Sequence, residues 1–227
     1  MNLILCNGQE YELPLFDPVV ATHVNSSHAL VQTLIDQINK EKIYERFFKD
    51  KKDITFLDIG ANIGLVSIYA SPACYRVVAI EPAPDTFQVL KSLTLPFKQI
   101  EAVQFALTKQ NCEHDFYVND INSTASSTVN TYGKKITVTG LSLHSILNIY
   151  QLEHVDVCKV DAEGGEGEAL NHAELEMTSR VIQAYHIECH NCPKSTWQDK
   201  MAKITGGLAI SGYSKIEVQG MAIIASK

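Results

Sequence analysis

From residue 54 onward, short apolar segments rich in β-branched residues alternate with segments of helical periodicity. Apolar runs over 54–59, 76–80 and 155–160 each end at a glycine or an acidic residue, and a helical pattern follows the first two. Strands that alternate with helices in this way form a mainly parallel sheet with helices on both faces. The alternation therefore predicts an α/β fold.

The length of the chain suits one such domain with a short extension. The 227 residues, 45% of them hydrophobic, are enough for a single sizeable core. Residues 1–53 predict an accessory segment with a strand pair around Asn7-Gly8 and two helices, the first capped by Ser26 or Ser27. Residues 54–227 predict the main domain, which ends in an antiparallel hairpin around Gln219-Gly220.

Charge and composition limit the kinds of binding partner that we expect for this chain. A formal net charge of −7 gives no general attraction to nucleic-acid phosphates. No stretch reaches the roughly 18–20 apolar residues of a membrane helix, and no signal peptide is expected. The six cysteines include only one C-x-x-C pair, Cys189 and Cys192, which is a weak signal for zinc. We expect a cytoplasmic protein without nucleic-acid or membrane partners.

The first candidate site is the turn Asp58-Ile59-Gly60-Ala61-Asn62-Ile63-Gly64, which joins a strand to a helix. Glu81 ends the next strand, where an acid accepts hydrogen bonds from ribose hydroxyls. This arrangement predicts a nucleoside cofactor. The glycine spacing departs from the G-x-G-x-x-G of dinucleotide sites, and Asp58 would repel a pyrophosphate, so S-adenosylmethionine (SAM) is favoured over NAD.

The second candidate site follows a buried strand. The run Lys159-Val160-Asp161-Ala162-Glu163-Gly164-Gly165-Glu166 begins with two charged residues that share one face of the strand. Ligands of open α/β sheets bind outside the carboxyl ends of the strands. Burying such charges without a role is costly.

Together, these two runs and Glu81-Pro82 resemble the FkbM family of methyltransferases over roughly residues 54–190. The resemblance implies a class I SAM-dependent methyltransferase (Rossmann-like) fold with a seven-stranded, mostly parallel sheet. It also implies SAM as methyl donor, S-adenosylhomocysteine (SAH) as product, and O-methylation of a small molecule or glycan.

The resemblance also assigns residues to roles. The cofactor-binding residues it implies are Asp58, Gly60, Ala61, Asn62, Gly64, Glu81, Pro82, Ala106 and Asp161. Ala106 is expected near the adenine. The residues expected at the methyl-transfer site are Lys159, Asp161, Glu163, Glu188 and His190. The polar loop Asn122–Thr128 is expected to lie over that site.

A third candidate group lies on the strand pattern Tyr185-His186-Ile187-Glu188-Cys189-His190, whose alternation places His186, Glu188 and His190 on one face. Transfer to oxygen requires a place for the hydroxyl proton. His190, His186 or Lys159 could accept it, with Asp161 or Glu188 orienting the hydroxyl. A divalent cation held by His186, Glu188, His190, Asp161 and Glu163 is an alternative that we do not favour.

Two other functions stay open from the sequence. One is an NAD-dependent oxidoreductase, against which the glycine spacing argues. The other is a catalytically inactive SAM-binding regulator or scaffold of the same fold. The acceptor and the oligomeric state are left undetermined, because acceptor pockets are built from loops and accessory segments.

Overall fold

A computed structural model describes residues 1–15, 17–26, 28–118, 128–129 and 133–227 of the chain. The loop Asn122–Thr128 lies outside the described residues except for Thr128, and so does Ser27. The chain divides into two compact units, Met1–Val103 and Gln104–Lys227. This division differs from the predicted one, which separates residues 1–53 from residues 54–227. The predicted boundary stays a prediction.

The first unit begins with the predicted accessory segment. It contains β1 (Asn2–Ile4), β2 (Glu10–Glu12), α1 (Pro18–Ser26), α2 (His28–Asp36), a π-helical turn (Gln37–Glu41) and α3 (Glu45–Phe48). The strands pair antiparallel around the Asn7-Gly8 turn, as the sequence predicted. The predicted helix after Ser26 or Ser27 corresponds to α2 and the π-helical turn that follows it, whereas α1, which ends at Ser26, is a helix that was not predicted.

The rest of the first unit is a strand and helix alternation. Its elements are β3 (Ile54–Ile59), α4 (Leu65–Ala70), a 3-10 turn (Ser71–Ala73), β4 (Cys74–Ile80), α5 (Pro84–Thr94) and β5 (Ile100–Val103). β3, β4 and β5 are parallel neighbours. Most of their side chains are apolar, and those of β3 and of residues 77–80 in β4 are almost all buried, as expected for strands covered on both faces.

The accessory segment contributes to the core of this unit. Phe48 is almost fully buried. Its ring lies 4.9 Å from that of Phe56 in β3 and 6.2 Å from that of Tyr69 in α4, between centroids. The backbone N–H of Cys6 also donates to the carbonyl of Tyr69 (3.0 Å). The segment is therefore packed against the elements that flank the Gly60 turn.

The second unit carries the remaining elements. They are β6 (Ala106–Leu107), β7 (Cys112–Val118), β8 (Lys134–Leu141), α6 (Leu143–Ile149), β9 (Val157–Val160), α7 (Glu166–Ala169), α8 (His172–Thr178), β10 (Ala184–Glu188), α9 (Trp197–Ile210), β11 (Lys215–Gln219) and β12 (Ala222–Ser226). β9 and β10 are parallel, and β12 pairs antiparallel with both β10 and β11. The predicted C-terminal hairpin is confirmed.

The main sheet has seven strands in the order β11-β12-β10-β9-β3-β4-β5 and is mostly parallel. The mostly apolar run 102–107 predicts one continuous strand, and this prediction is wrong in its extent. β5 ends at Val103, and β6 belongs to a second sheet with the order β6-β8-β7. Among the helices of the described residues, none has the length and apolar character that a bilayer crossing demands.

Candidate active site

In the first unit, the Gly60 turn and Glu81 are joined by hydrogen bonds. Oε2 of Glu81 accepts from the backbone N–H of Asn62 (3.0 Å), and Oε1 accepts from that of Ala83 (2.9 Å). The carboxylate is thus oriented at the end of β4, beside the turn. An acid that accepts from ribose hydroxyls next to a glycine turn fits a nucleoside such as SAM.

Two further residues shape this turn. Gly64 has a φ of 89°, and an added Cβ would lie 2.6 Å from Cδ1 of Leu90 in α5. A side chain is therefore excluded by the backbone conformation and by the packing of α5. Asp58 is fully buried, and its Oδ2 accepts a hydrogen bond from Oγ of Ser67 (2.7 Å). This bond ties the end of β3 to α4.

The other residues implied for the cofactor have the following places. Ala61 is buried within the turn and Pro82 is half-buried after β4. Ala106 is buried in β6, where it lies opposite Gly140 of β8. Asp161 lies in the second unit, directly after β9.

In the second unit, charged side chains gather at the carboxyl ends of β9 and β10. Nδ1 of His190 lies 3.2 Å from Oε1 of Glu166 and 3.7 Å from Oδ1 of Asp161. Its Nε2 lies 3.9 Å from Oε1 of Glu163. Nζ of Lys159 lies 3.3 Å from Oδ2 of Asp161. We call Lys159, Asp161, Glu163, Glu166, His190 and Lys200 the acid–histidine cluster.

Four of the five residues predicted for methyl transfer belong to this cluster. The fifth, Glu188, ends β10, and its negative charge helps to raise the pKa of Glu163. His186 is buried in β10 and lies opposite Lys159 in the parallel register. β10 ends at Glu188, so His190 follows the strand rather than continuing its alternation.

The cluster shifts the proton affinities of two of its members. Burial by itself lowers the pKa of His190, but the hydrogen bond to Glu166 and the charges of Asp161 and Glu163 together raise it to about 9. Burial first, and then the charge of Asp161, raise the pKa of Glu163 to about 8. At neutral pH the imidazole is therefore mainly a cation, and the carboxyl group of Glu163 is mainly protonated and ionises as the pH rises through about 8.

Sequence reasoning gave no role to two members of the cluster. Glu166, at the start of α7, is fully buried, and Lys200 of α9 is almost fully buried. Glu166 is the last residue of the run that resembles the FkbM family, and no role was predicted for it. Lys200 carried a signal of its own, since it shares the helical spacing of Met201, Ile204 and Leu208. A charge on the apolar face of a helix marks a buried partner.

The donor set is a poor match for a divalent cation. Within the described ranges, the only His, Cys, Asp and Glu atoms that converge, within 4.8 Å, belong to Asp161, Glu166 and His190. Oε1 of Glu166 already accepts two backbone N–H groups, from Ala162 and Gly164. Oδ2 of Asp161 lies 3.3 Å from Nζ of Lys159, and Oε2 of Glu166 lies 3.7 Å from Nζ of Lys200. The metal alternative therefore stays disfavoured.

A glycine brings three segments together at this cluster. Gly164 has a φ of 109°, and an added Cβ would lie 2.8 Å from Cγ2 of Val129 and 3.3 Å from Cβ of Cys192. Val129 thus lies against the turn after β9, and so does Thr128, the described end of the polar loop, whose Oγ1 would lie 3.2 Å from a Cβ added at Gly165. A side chain at position 164 would push these segments apart.

Comparison with known proteins identifies the class of protein to which this chain belongs. A profile described as the methyltransferase FkbM domain matches residues 58–213. This span contains the Gly60 turn, Glu81 and the acid–histidine cluster. Fold and family together define a class I SAM-dependent methyltransferase, which argues against the NAD-dependent oxidoreductase. The chain belongs to the FkbM methyltransferase family.

Similarity to solved structures is distant. A precorrin-6y C5,15-methyltransferase from Geobacter metallireducens is 15% identical, with 80% of this chain and 85% of that one covered and a TM-score of 0.47. A SAM-dependent methyltransferase from Aquifex aeolicus is 14% identical, with coverages of 87% and 95% and a TM-score of 0.47.

The fibrillarin pre-rRNA processing protein of Methanococcus jannaschii is 16% identical, with a TM-score of 0.45. The alignment covers 77% of this chain but 66% of fibrillarin, so the chain spans just under two thirds of that protein's length. No protein with curated function matches the sequence.

Proposed function

We propose that this protein transfers the methyl group of SAM to a hydroxyl oxygen, with Glu163 as the acceptor of the hydroxyl proton. The observation that carries the proposal is the Glu163–His190 contact, in which burial and Asp161 raise the pKa of Glu163 to about 8. A base is most effective when its pKa lies near the working pH. Amine and thiol acceptors have less need of such a group, because they lose their proton more readily.

The chain's own residues then have distinct roles. Bound SAM supplies an electrophilic methyl group, and the neutral thioether of SAH is what remains after transfer. Glu81 and the Gly60 turn would hold the nucleoside. Glu163 would take up the proton of the acceptor hydroxyl on a carboxylate oxygen.

Charge around Glu163 supports this assignment over the other candidate bases. His190 is already protonated at neutral pH, since its pKa is raised to about 9. It therefore stabilises the ionised form of Glu163 as a neighbouring cation. Lys159 lies 3.3 Å from Oδ2 of Asp161 and is held there by this ion pair. Compared with His190 and Lys159, Glu163 is the group whose pKa, raised to about 8, lets it both gain and lose a proton close to neutral pH.

The acceptor that we propose is a polar hydroxyl compound, a small molecule or a glycan. The acid–histidine cluster offers carboxylate acceptors for hydroxyl donors, and Asp161, Glu163 and His190 are only partly buried. Hydroxyl groups donate well to carboxylates. No metal ion is needed for the reaction in this proposal.

The proposal is tested by transfer of isotope-labelled methyl from SAM to a panel of sugars, polyols, phenols, amines and thiols. We expect label in a hydroxyl acceptor, at a rate that rises with pH up to about 8, the pKa of Glu163. Glu163→Gln should lower the rate by about 100-fold or more. Glu168→Gln, an exposed acid in α7, is the matched control. Transfer confined to amines or thiols, or an unchanged rate in Glu163→Gln, would contradict the proposal.

A further inference from the structure

Lys200 occupies a position where a lysine is seldom found. It lies on the apolar face of α9 and is almost fully buried. Its Nζ donates one hydrogen bond to the carbonyl of Gly164 and another to the carbonyl of His190, both at 2.6 Å. Its aliphatic stem runs past Gly167, where an added Cβ would lie 2.8 Å from Cγ of Lys200. One ammonium thus holds the turn after β9 to the segment after β10.

Glu166 holds the same two segments from the other side. Its Oε1 accepts from the backbone N–H of Ala162 (3.1 Å) and of Gly164 (3.0 Å), and lies 3.2 Å from Nδ1 of His190. Its Oε2 lies 3.7 Å from Nζ of Lys200. The two buried side chains therefore form an ion pair whose hydrogen bonds all point to the same turn and the same histidine.

The turn needs such support because its backbone is unusual. Glu163 has a φ of 48° and Gly164 a φ of 109°, so two successive residues are left-handed. A left-handed conformation costs energy for a residue with a side chain. Fixed bonds on both sides of Glu163 select this one conformation and thereby aim its carboxylate.

We propose that Lys200 and Glu166 form a positioning pair that fixes the carboxylate of Glu163 and the imidazole of His190 relative to each other. Neither side chain has to touch a substrate in this role. The importance of this pair for methyl transfer rests on the proposed function. Its role in positioning Glu163 and His190 can be tested without an acceptor substrate. A buried pair that only filled space could be replaced by apolar residues at little cost.

The charged groups that face His190 define what can be measured. Asp161 and Glu163 face it from the turn after β9, Glu166 from α7, and Lys200 bonds its carbonyl from α9. An opposite charge within about 4–6 Å raises the pKa of a histidine. The influence of Glu163 on the pKa of His190 is therefore a reporter of how well the two groups are held together.

The experiment is a double-mutant cycle read by NMR titration of the His190 imidazole, assigned through His190→Gln. Glu163→Gln is introduced into the wild type, into Lys200→Met, and into Lys203→Met, which removes an exposed lysine of the same helix. We expect Glu163→Gln to lower the pKa of His190 by about half a unit or more in the wild type and in Lys203→Met. In Lys200→Met the shift should fall to less than about half of that value.

A second variant keeps the test decisive if Lys200→Met does not fold. Glu166→Gln has the same size, and its amide oxygen can still accept from the backbone. We expect it to lower the pKa of His190 by about one unit. Equal Glu163→Gln shifts in all three backgrounds, or an unchanged His190 pKa in Glu166→Gln, would overturn the proposal. Failure of SAH binding in the wild type would instead overturn the proposed function and leave this result standing.

Discussion

Ser67 donates a 2.7 Å hydrogen bond to Oδ2 of Asp58, and both side chains are fully buried. The bond joins the end of β3 to α4 across the Gly60 turn. It also shows how a carboxylate implied for cofactor binding contributes to the shape of its own site. Asp58 stays a predicted cofactor residue, with a structural contact in addition.

Removal of this bond should weaken the fold measurably. Ser67→Ala leaves a buried carboxylate oxygen without its hydroxyl donor, so we expect the free energy of unfolding to fall by about 2 kcal/mol. Ser71→Ala is the matched control, because its buried hydroxyl bonds only the neutral carbonyl of Ile68 and should cost about 1 kcal/mol. Urea unfolding measures both, and equal losses would contradict the special role of the Asp58 bond.

Gly64 should not tolerate a side chain. Gly64→Ala places a methyl group 2.6 Å from Cδ1 of Leu90 in a left-handed backbone. We expect a loss of about 2 kcal/mol or more in the free energy of unfolding. Gly206→Ala is the control, since its added Cβ meets nothing within 4 Å and should stabilise α9 by about 0.5–1 kcal/mol. A neutral Gly64→Ala would show that the turn can rearrange.

The accessory segment should be required for the stability of the first unit. Phe48→Ala removes a buried ring that contacts Phe56 and Tyr69. We expect a loss of about 3–5 kcal/mol in the free energy of unfolding. Tyr75→Ala, at an exposed position of β4, should change it by no more than about 0.5 kcal/mol. Similar small effects of both variants would mean that residues 1–53 are separable from the domain.

The raised pKa of His190 makes part of the stability dependent on pH. Its pKa is about 9 in the folded protein against an ordinary value of 6.5. The protonated imidazole therefore stabilises the folded state fully below pH 6.5, and this contribution is lost as the pH rises through about 9. The difference in unfolding free energy between the wild type and His190→Gln should shrink across that window. A difference that is constant from pH 6 to about 9.5 would contradict the raised pKa.

Much of the fold was predictable because its signals are local. Apolar runs such as 54–59 and the hairpin around Gly220 stand where the sequence pattern placed them. The predicted strand 102–107 was too long because periodicity cannot tell which sheet a residue joins. Gln104 and Phe105 separate β5 from β6, and the two strands pair with different partners.

The candidate site was predictable where its residues share a motif. Asp161 and Glu163 lie in one run, and the motif was enough to select them. Lys200 lies 34 residues beyond Glu166, and only tertiary packing brings the two together. The proton affinities of His190 and Glu163 were not predictable either, because they depend on distances between elements that are remote in sequence.

The most direct test of the account is calorimetric titration of the metal-stripped protein with SAH. We expect binding in the micromolar range by the wild type and by Glu101→Ala, which removes an exposed acid of β5. Glu81→Ala, which removes the carboxylate beside the Gly60 turn, should weaken binding by about tenfold or more. Failure of the wild type to bind SAH, or equal binding by Glu81→Ala, would contradict the assignment of the Gly60 turn and Glu81 as the SAM site.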